Sequence, residues 1–317
     1  MAAVLVTDYA WPDLEIEQAI LAAAGHELKA GPGPAPSAEA VAALAAACDP
    51  AAIMTCWANV RAPAIDACSE LRIIARLGVG LDNIDLAAAG RVGAVVTNVP
   101  DYCVEEVSDH AVALLLAHYR GIALFDRSTK RGLWEPAAAR LTRMRDLAVG
   151  LFGFGRIAGR TAEKLMPLVG RVLATRRSAS PLPEGVEGCA LDSLLAQSDA
   201  VIIHAPLTGE THGLFDAHLF ARMKEGALLI NVSRGQIVDN DALLKAIEHG
   251  RLSGAGLDVI EGEPDPPEAL LAHPAIVATP HIAFSSAASL AELRRRACED
   301  VVRVLAGEQA RHSCALS

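Results

Sequence analysis

Val149-Gly150-Leu151-Phe152-Gly153-Phe154-Gly155-Arg156-Ile157-Ala158 reads as a buried strand that runs into a glycine turn and then a helix. Gly153 suits the tight turn. Gly155 lets the backbone approach a pyrophosphate at the helix N-terminus, where unpaired amides and the helix dipole favour an anion. Ala158 takes the third small position and keeps helix and strand close. A bare G-x-G-x-x-A is a weak signal, but between a strand and a helix it marks a dinucleotide site rather than a structural turn.

Outward from this stretch, short apolar runs alternate with helical periods. Strands are expected near residues 4–7, 52–56, 72–75, 92–97, 149–152, 172–175, 200–204, 227–231, 254–257 and 276–279. Gly31-Pro32-Gly33-Pro34 marks a loop before a helix that ends near Cys48. A last helix is expected from Ser289, read as the start of a capping box, to about Leu305, with Gly307 as its stop. Such alternation predicts an α/β protein with parallel sheets covered by helices on both faces. At about 150 residues per domain the length of 317 residues predicts two domains. Aromatic residues are 4% of the chain, so the core must come mainly from Ala, Val, Leu and Ile.

The strand after the glycine turn, Val172-Leu173-Ala174-Thr175, ends in Arg176-Arg177-Ser178. A carboxylate there would accept bonds from the ribose hydroxyls of NAD. Guanidinium groups instead suit the additional phosphate of NADP, at about 1.5–3 kcal/mol for a charge-assisted bond. The expected cofactor is therefore NADP(H), with NAD(H) as the alternative.

Ligands of open α/β sheets bind beyond the carboxyl ends of the strands. Three late strands end there in Arg234, Glu263 and His281. Together these groups suit hydride transfer to a keto acid. Arg234 would bind the carboxylate and polarise the carbonyl. His281, as imidazolium, would give a proton to the developing alkoxide, and Glu263 would stabilise that imidazolium.

Composition excludes other classes. A net charge of -10 lacks the footprint of a nucleic-acid binder. No apolar run approaches the ~20 residues of a membrane span, and no secretory leader is evident. Seven scattered cysteines without a Cys-x-x-Cys pair fit reduced thiols and a cytoplasmic location. The ten histidines form no zinc motif, so no metal is expected.

These segments resemble the D-isomer-specific 2-hydroxyacid dehydrogenase family, which includes phosphoglycerate, hydroxypyruvate and glyoxylate enzymes. The resemblance rests on the glycine turn together with residues 75–85 (ARLGVGLDNID), 204–208 (HAPLT), 231–235 (NVSRG), 257–259 (LDV), Glu263-Pro264 and 279–281 (TPH). Residues 98–107 (NVPDYCVEEV) and 283–286 (AFSS) are most similar to the branch containing the C-terminal-binding proteins.

The resemblance implies two Rossmann-like, doubly wound domains with the active site in the cleft between them. The substrate domain would be discontinuous, residues 1–97 plus 286–317, and the cofactor domain 98–285. Catalysis would fall to Arg234, Glu263 and His281. The amides of Val79 and Gly80 would hold the substrate carboxylate, with Arg76 turned toward the substrate. Gly153, Gly155, Arg156 and Ile157 would face the pyrophosphate. Arg176, Arg177 and Ser178 would reach the ribose end, Pro206, Thr211 and Val232 would line the cofactor cleft, and Asp258 would contact the nicotinamide carboxamide. The helix at 107–119 and the arm through Trp134 match the family's homodimer contact. Arg176 stands where the family has an acidic ribose-binding residue. The implied activity is NAD(P)-dependent interconversion of a small 2-keto and D-2-hydroxy acid, such as glyoxylate or hydroxypyruvate. The alternative is a dinucleotide-sensing interaction protein with little turnover.

Overall fold

The computed structural model describes residues 1–177 and 180–315. Contacts divide it into two compact units, Met1–Tyr102 with Ser286–Ser317, and Cys103–Ser285. The first crossing thus falls after Tyr102 rather than after the expected residue 97.

In the first unit the chain runs β1 (Ala3–Val6), α1 (Glu15–Ala23), β2 (Glu27–Ala30), α2 (Ala38–Cys48), β3 (Ala52–Thr55), α3 (Ala62–Asp66), β4 (Ile73–Arg76), α4 (Leu86–Val92) and β5 (Val95–Thr97). The five strands pair in parallel in the order β2-β1-β3-β4-β5. The order reverses between β1 and β3, which opens a crevice at their carboxyl ends.

The second unit holds α5 (Val104–Tyr119), α6 (Ile122–Lys130), β6 (Ala148–Phe152), α7 (Arg156–Leu165), β7 (Arg171–Thr175), β8 (Val186–Gly188), α8 (Leu191–Gln197) and β9 (Ala200–Ile203). It continues through α9 (Ala217–Arg222), β10 (Ala227–Asn231), α10 (Asn240–Glu248), β11 (Leu252–Leu257), α11 (Glu268–Ala272) and β12 (Ile276–Ala278). These strands form a seven-stranded parallel sheet, β12-β11-β10-β9-β6-β7-β8, whose switch point lies between β6 and β9. Helix α12 (Ala287–Leu305) returns to the first unit, where the Arg294 guanidinium bonds the buried Glu17 carboxylate at 2.7 and 2.8 Å.

Both sheets are the doubly wound α/β arrangement expected from the alternation of apolar runs. Central strands such as β3, β4, β9 and β10 are buried along their whole length, because helices cover both faces of a parallel sheet. Two strands are absent from the sequence reading, β2 and β8, and each lies at the edge of its sheet. Edge strands have solvent on one side and need no apolar run; Glu27, Ala30, Glu187 and Gly188 are all exposed.

Three further expectations change. The run at 92–97 is split, since Val92 ends α4, Gly93 (φ +75°) caps it and the strand begins at Val95. The helix expected at 107–119 begins at Val104. The last helix is capped by Ser286 rather than Ser289: the Ser286 hydroxyl accepts from the Ser289 amide while Ser289 Oγ accepts from the Ser286 amide. The aliphatic core is as composition requires, except that Phe152, Phe215 and Phe220 stack in a row with centroids 5.3 and 6.4 Å apart.

Candidate active site

At the switch point of the seven-stranded sheet, β6 enters α7 through Gly153, at φ +89°. A Cβ on Gly153 would lie 2.6 Å from the Ala205 nitrogen, so the loop after β9 packs directly on this turn and only glycine fits. Gly155 is the N-cap of α7 and supplies no capping side chain. Its surroundings are open, and the exposed Arg156 and half-buried Ile157 begin the helix. A ten-residue helix starting without a cap offers its first amides to an anion.

At the end of β7, Arg176 lies over the Phe154 ring, 5.8 Å from its centroid. Its Nη2 is buried with no hydrogen-bond partner among the described residues. Arg177 is exposed and reaches Glu210 at 3.3 Å. Ser178 lies outside the described residues. An uncapped helix start beside a guanidinium with an unmet donor fits a phosphate-bearing dinucleotide.

The loop after β9 closes on itself. Thr211 Oγ1 donates to the Pro206 carbonyl at 2.7 Å and accepts from the Thr208 amide at 2.8 Å. Ser233, after β10, donates its hydroxyl to the Ala205 carbonyl and joins the two loops; its neighbour Val232 is 9% exposed. His204, at the start of the loop, buries its Nε2 without a partner among the described residues, and burial pushes its imidazole down to about 4.

Asn231 ends β10 and shapes the loop that carries Arg234. Its side chain accepts from the Ser233 amide at 3.1 Å and donates to the Arg234 carbonyl at 2.8 Å. Arg234 itself donates from Nη1 to the Ser233 carbonyl at 2.8 Å. Gly235 packs against the loop after β11 so closely that a Cβ would lie 2.2 Å from the Glu261 nitrogen. This contact brings the arginine loop against the segment that carries Glu263. Glu263 Oε1 in turn lies 3.0 Å from His281 Nδ1. The Arg, Glu and His loops are therefore collected within one unit, at the carboxyl ends of neighbouring strands. The Phe284 ring stands edge-on to the His281 ring, 6.2 Å away.

His281 has φ +53°, a left-handed conformation that is unfavourable for a non-glycine residue. It is fixed there by Asp258, at the end of β11 and 2% exposed. The His281 amide donates to the Asp258 carbonyl at 2.8 Å. The Asp258 carboxylate accepts from the amides of Ile282 and Ala283, both at 2.9 Å, and from the Thr279 hydroxyl at 2.7 Å. The resemblance gives Asp258 a contact with a carboxamide, and its oxygens also hold the turn that presents His281. Thr279 enters the sequence reading only within the motif 279–281, and its partner His110, on α5, is given no role there. His110 is 169 positions from Thr279, and no local pattern links them.

In the first unit, Arg76 ends β4 and is 7% exposed. Its Nη1 donates to the carbonyls of Leu77 and Thr55, while Nε is buried without a partner among the described residues. In the adjoining loop the Gly78 and Val79 carbonyls accept from the Val99 amide (3.1 Å) and the Asn98 side chain (2.7 Å). These bonds hold the loop whose next amides belong to Val79 and Gly80. Beside it, the fully buried Asp8 carboxylate accepts from the amides of Cys56, Trp57 and Ala58 at 3.0, 2.6 and 3.1 Å. That clamp fixes the loop after β3, and it too has no local sequence signature.

Residues 112–283 match the sequence profile of the D-isomer specific 2-hydroxyacid dehydrogenase NAD binding domain. The chain is 38% identical over 261 residues to a D-3-phosphoglycerate dehydrogenase of Archaeoglobus fulgidus, covering 80% of this chain and 49% of that protein. It spans about half the length of the phosphoglycerate dehydrogenases it matches. A glyoxylate reductase of Korarchaeum cryptofilum is 36% identical over 257 residues, covering 78% of this chain and 77% of that one. Among solved structures, an NADPH-dependent glyoxylate/hydroxypyruvate reductase from Sinorhizobium meliloti, in complex with NADP and malonate, has a TM-score of 0.87 at 30% identity, over 99% of this chain and 97% of that one.

Proposed function

Because the chain belongs to the D-isomer specific 2-hydroxyacid dehydrogenase family, we propose that it is an NAD(P)-dependent reductase of a small 2-keto acid, working reversibly on the D-2-hydroxy acid. The observation that carries this reading is the 3.0 Å contact of Glu263 with His281 Nδ1, on a turn anchored to β11. Glu263 holds the proton on Nδ1 and stabilises the imidazolium, which leaves proton exchange with the substrate oxygen to Nε2. The Arg234 guanidinium binds the carboxylate and polarises the C2 carbonyl. Val79 and Gly80 offer backbone amides suited to a carboxylate.

Gly153, Gly155, Arg156, Ile157, Pro206, Thr211 and Val232 hold the cofactor, which when bound supplies or accepts the hydride. Arg176 and Arg177 select NADP(H), in keeping with the unmet Nη2 donor of Arg176. Glyoxylate and hydroxypyruvate head the candidate substrates, since similar proteins are named for them. Among the described residues no helix is long and apolar enough to cross a membrane, and we place the protein in the cytoplasm. A homodimer is supported by α6, which buries none of its residues, and by the exposed Ile122, Leu124, Leu133 and Trp134.

A panel of 2-keto acids assayed with NADPH and NADH side by side tests this reading. Turnover of at least one acid is expected, with Arg234→Ala lowering kcat/KM by about 100-fold or more, as for a lost transition-state donor. The double Arg176→Ala, Arg177→Ala variant is expected to lose its preference for NADPH. Tight cofactor binding without turnover of any acid would instead support the dinucleotide-sensing alternative.

A further inference from the structure

We propose that His110, on α5, is a positioning residue for His281 and acts through the Thr279 hydroxyl and the Asp258 carboxylate. This rests on the reading of His281 as the proton-exchanging group.

Thr279 Oγ1 carries one hydrogen and donates it to Asp258 Oδ1 at 2.7 Å. Toward His110 Nε2, 2.9 Å away, the same oxygen must therefore accept, so His110 carries its proton on Nε2. The direct separation of His110 Nε2 from Asp258 Oδ1 is 3.6 Å, too long for a hydrogen bond. The hydroxyl is the link between them. It can serve two partners only in one orientation, and His110 sets that orientation.

Three bonds to the Asp258 carboxylate and one to its carbonyl hold the segment from Thr279 to Ala283. His281 stands in the middle of this segment at φ +53°. A backbone in that region persists only where its surroundings over-determine it. Releasing the hydroxyl removes one anchor from Asp258 Oδ1 and frees the start of the turn. The imidazole then loses its fixed approach to Glu263.

His110 lies outside the buried face of α5. Its helix is held by apolar packing through Val107, Ala111, Val112, Leu114 and Leu115. His110 itself is 22% exposed. Its side chain meets the segment preceding His281 at Thr279.

Matched variants separate this role from packing. His110→Leu and Thr279→Val keep bulk and remove the link; His110→Gln and Thr279→Ser keep a donor at similar reach and a hydroxyl. With the best 2-keto acid, the first pair is expected to lose at least tenfold in kcat, with NADPH Kd within twofold of wild type. The second pair is expected to stay within threefold. Because both groups act through one bond, the double His110→Leu, Thr279→Val variant should lose no more than the worse single variant. Unchanged kcat in the first pair, an equal loss in His110→Gln, or additive losses would overturn the proposal.

A second readout needs no turnover. The His281 imidazole resonances, assigned by their loss in His281→Asn, should shift or broaden in His110→Leu and return in His110→Gln. If wild type reduced no 2-keto acid, the functional reading would fall while these spectra still decided the role of His110. Identical His281 resonances in wild type and His110→Leu would contradict it.

Discussion

Each unit uses a buried aspartate at the end of one strand to hold the loop after the neighbouring strand. Asp8 comes after β1 and takes three consecutive amides from the loop after β3. Asp258 comes after β11 and takes two amides and a hydroxyl from the turn after β12. The two differ in what else holds the loop. Asn83 grips the first from the other side, donating to the Ala58 carbonyl at 2.9 Å and to that of Cys56 at 3.4 Å. No residue of that loop has positive φ. The second loop carries a non-glycine residue in the left-handed region, at a cost of about 1–2 kcal/mol, and the His110–Thr279 contact is among its further supports. The same device thus serves rigidity in one unit and a strained presentation of His281 in the other.

The largest effect should come from breaking the strained turn. Asp258→Asn keeps the shape but supplies only one acceptor oxygen in place of two. The kcat for 2-keto acid reduction should fall by about 100-fold, the scale expected when a reacting group is displaced by about an ångström. Steady-state kinetics check it, and a kcat near wild type would remove the contrast between the two turns.

Asp8→Asn should act on folding instead. The amide must turn its NH₂ toward at least one backbone donor, at about 2–3 kcal/mol for a lost bond to a charged group and a buried unsatisfied amide. Denaturant unfolding reads this loss, and kcat should change less than in Asp258→Asn.

Acid should weaken the protein through His204. Its folded imidazole titrates at about 4, below the ordinary value of 6.5, because burial disfavours the cation. Between those values the unfolded chain binds a proton that the folded one does not. The stability is complete above pH 6.5 and is lost as the pH falls toward 4, by about 2 kcal/mol at pH 5. His204→Gln should flatten that part of the stability-against-pH curve.

The smallest change should come from Asn83→Leu. It removes the second grip on the loop after β3 and is expected to lower stability by about 1 kcal/mol, with Asp8 still in place. A loss as large as that of Asp8→Asn would show that the two anchors are equivalent.

The legibility of each feature in the chain depends on how local it is. Buried parallel strands announce themselves as apolar runs, so both sheets are readable in outline. The edge strands β2 and β8 carry no such run, and Ser286 caps α12 through a serine pair rather than the Ser-x-x-Glu pattern expected at Ser289. Arg234, Glu263 and His281 stand out because strand ends are where an open sheet binds ligands, and each comes within a few residues of its strand. Asp8 and Thr279 also follow strand ends, but nothing local names their partners, and His110 lies within a helix. Asp8 meets its loop 48 to 50 positions away, and His110 meets Thr279 across more than half the chain. Their identities are ordinary; only the fold makes them partners.

In the proposed reaction His281, held by Glu263, exchanges the proton during 2-keto acid reduction. This role is tested most directly by the turnover of His281→Asn, with cofactor affinity measured on the same preparation. A kcat lowered by about 100-fold or more is expected, the contribution of a general acid, with NADPH Kd within twofold of wild type. Turnover at the wild-type rate in that variant would contradict it.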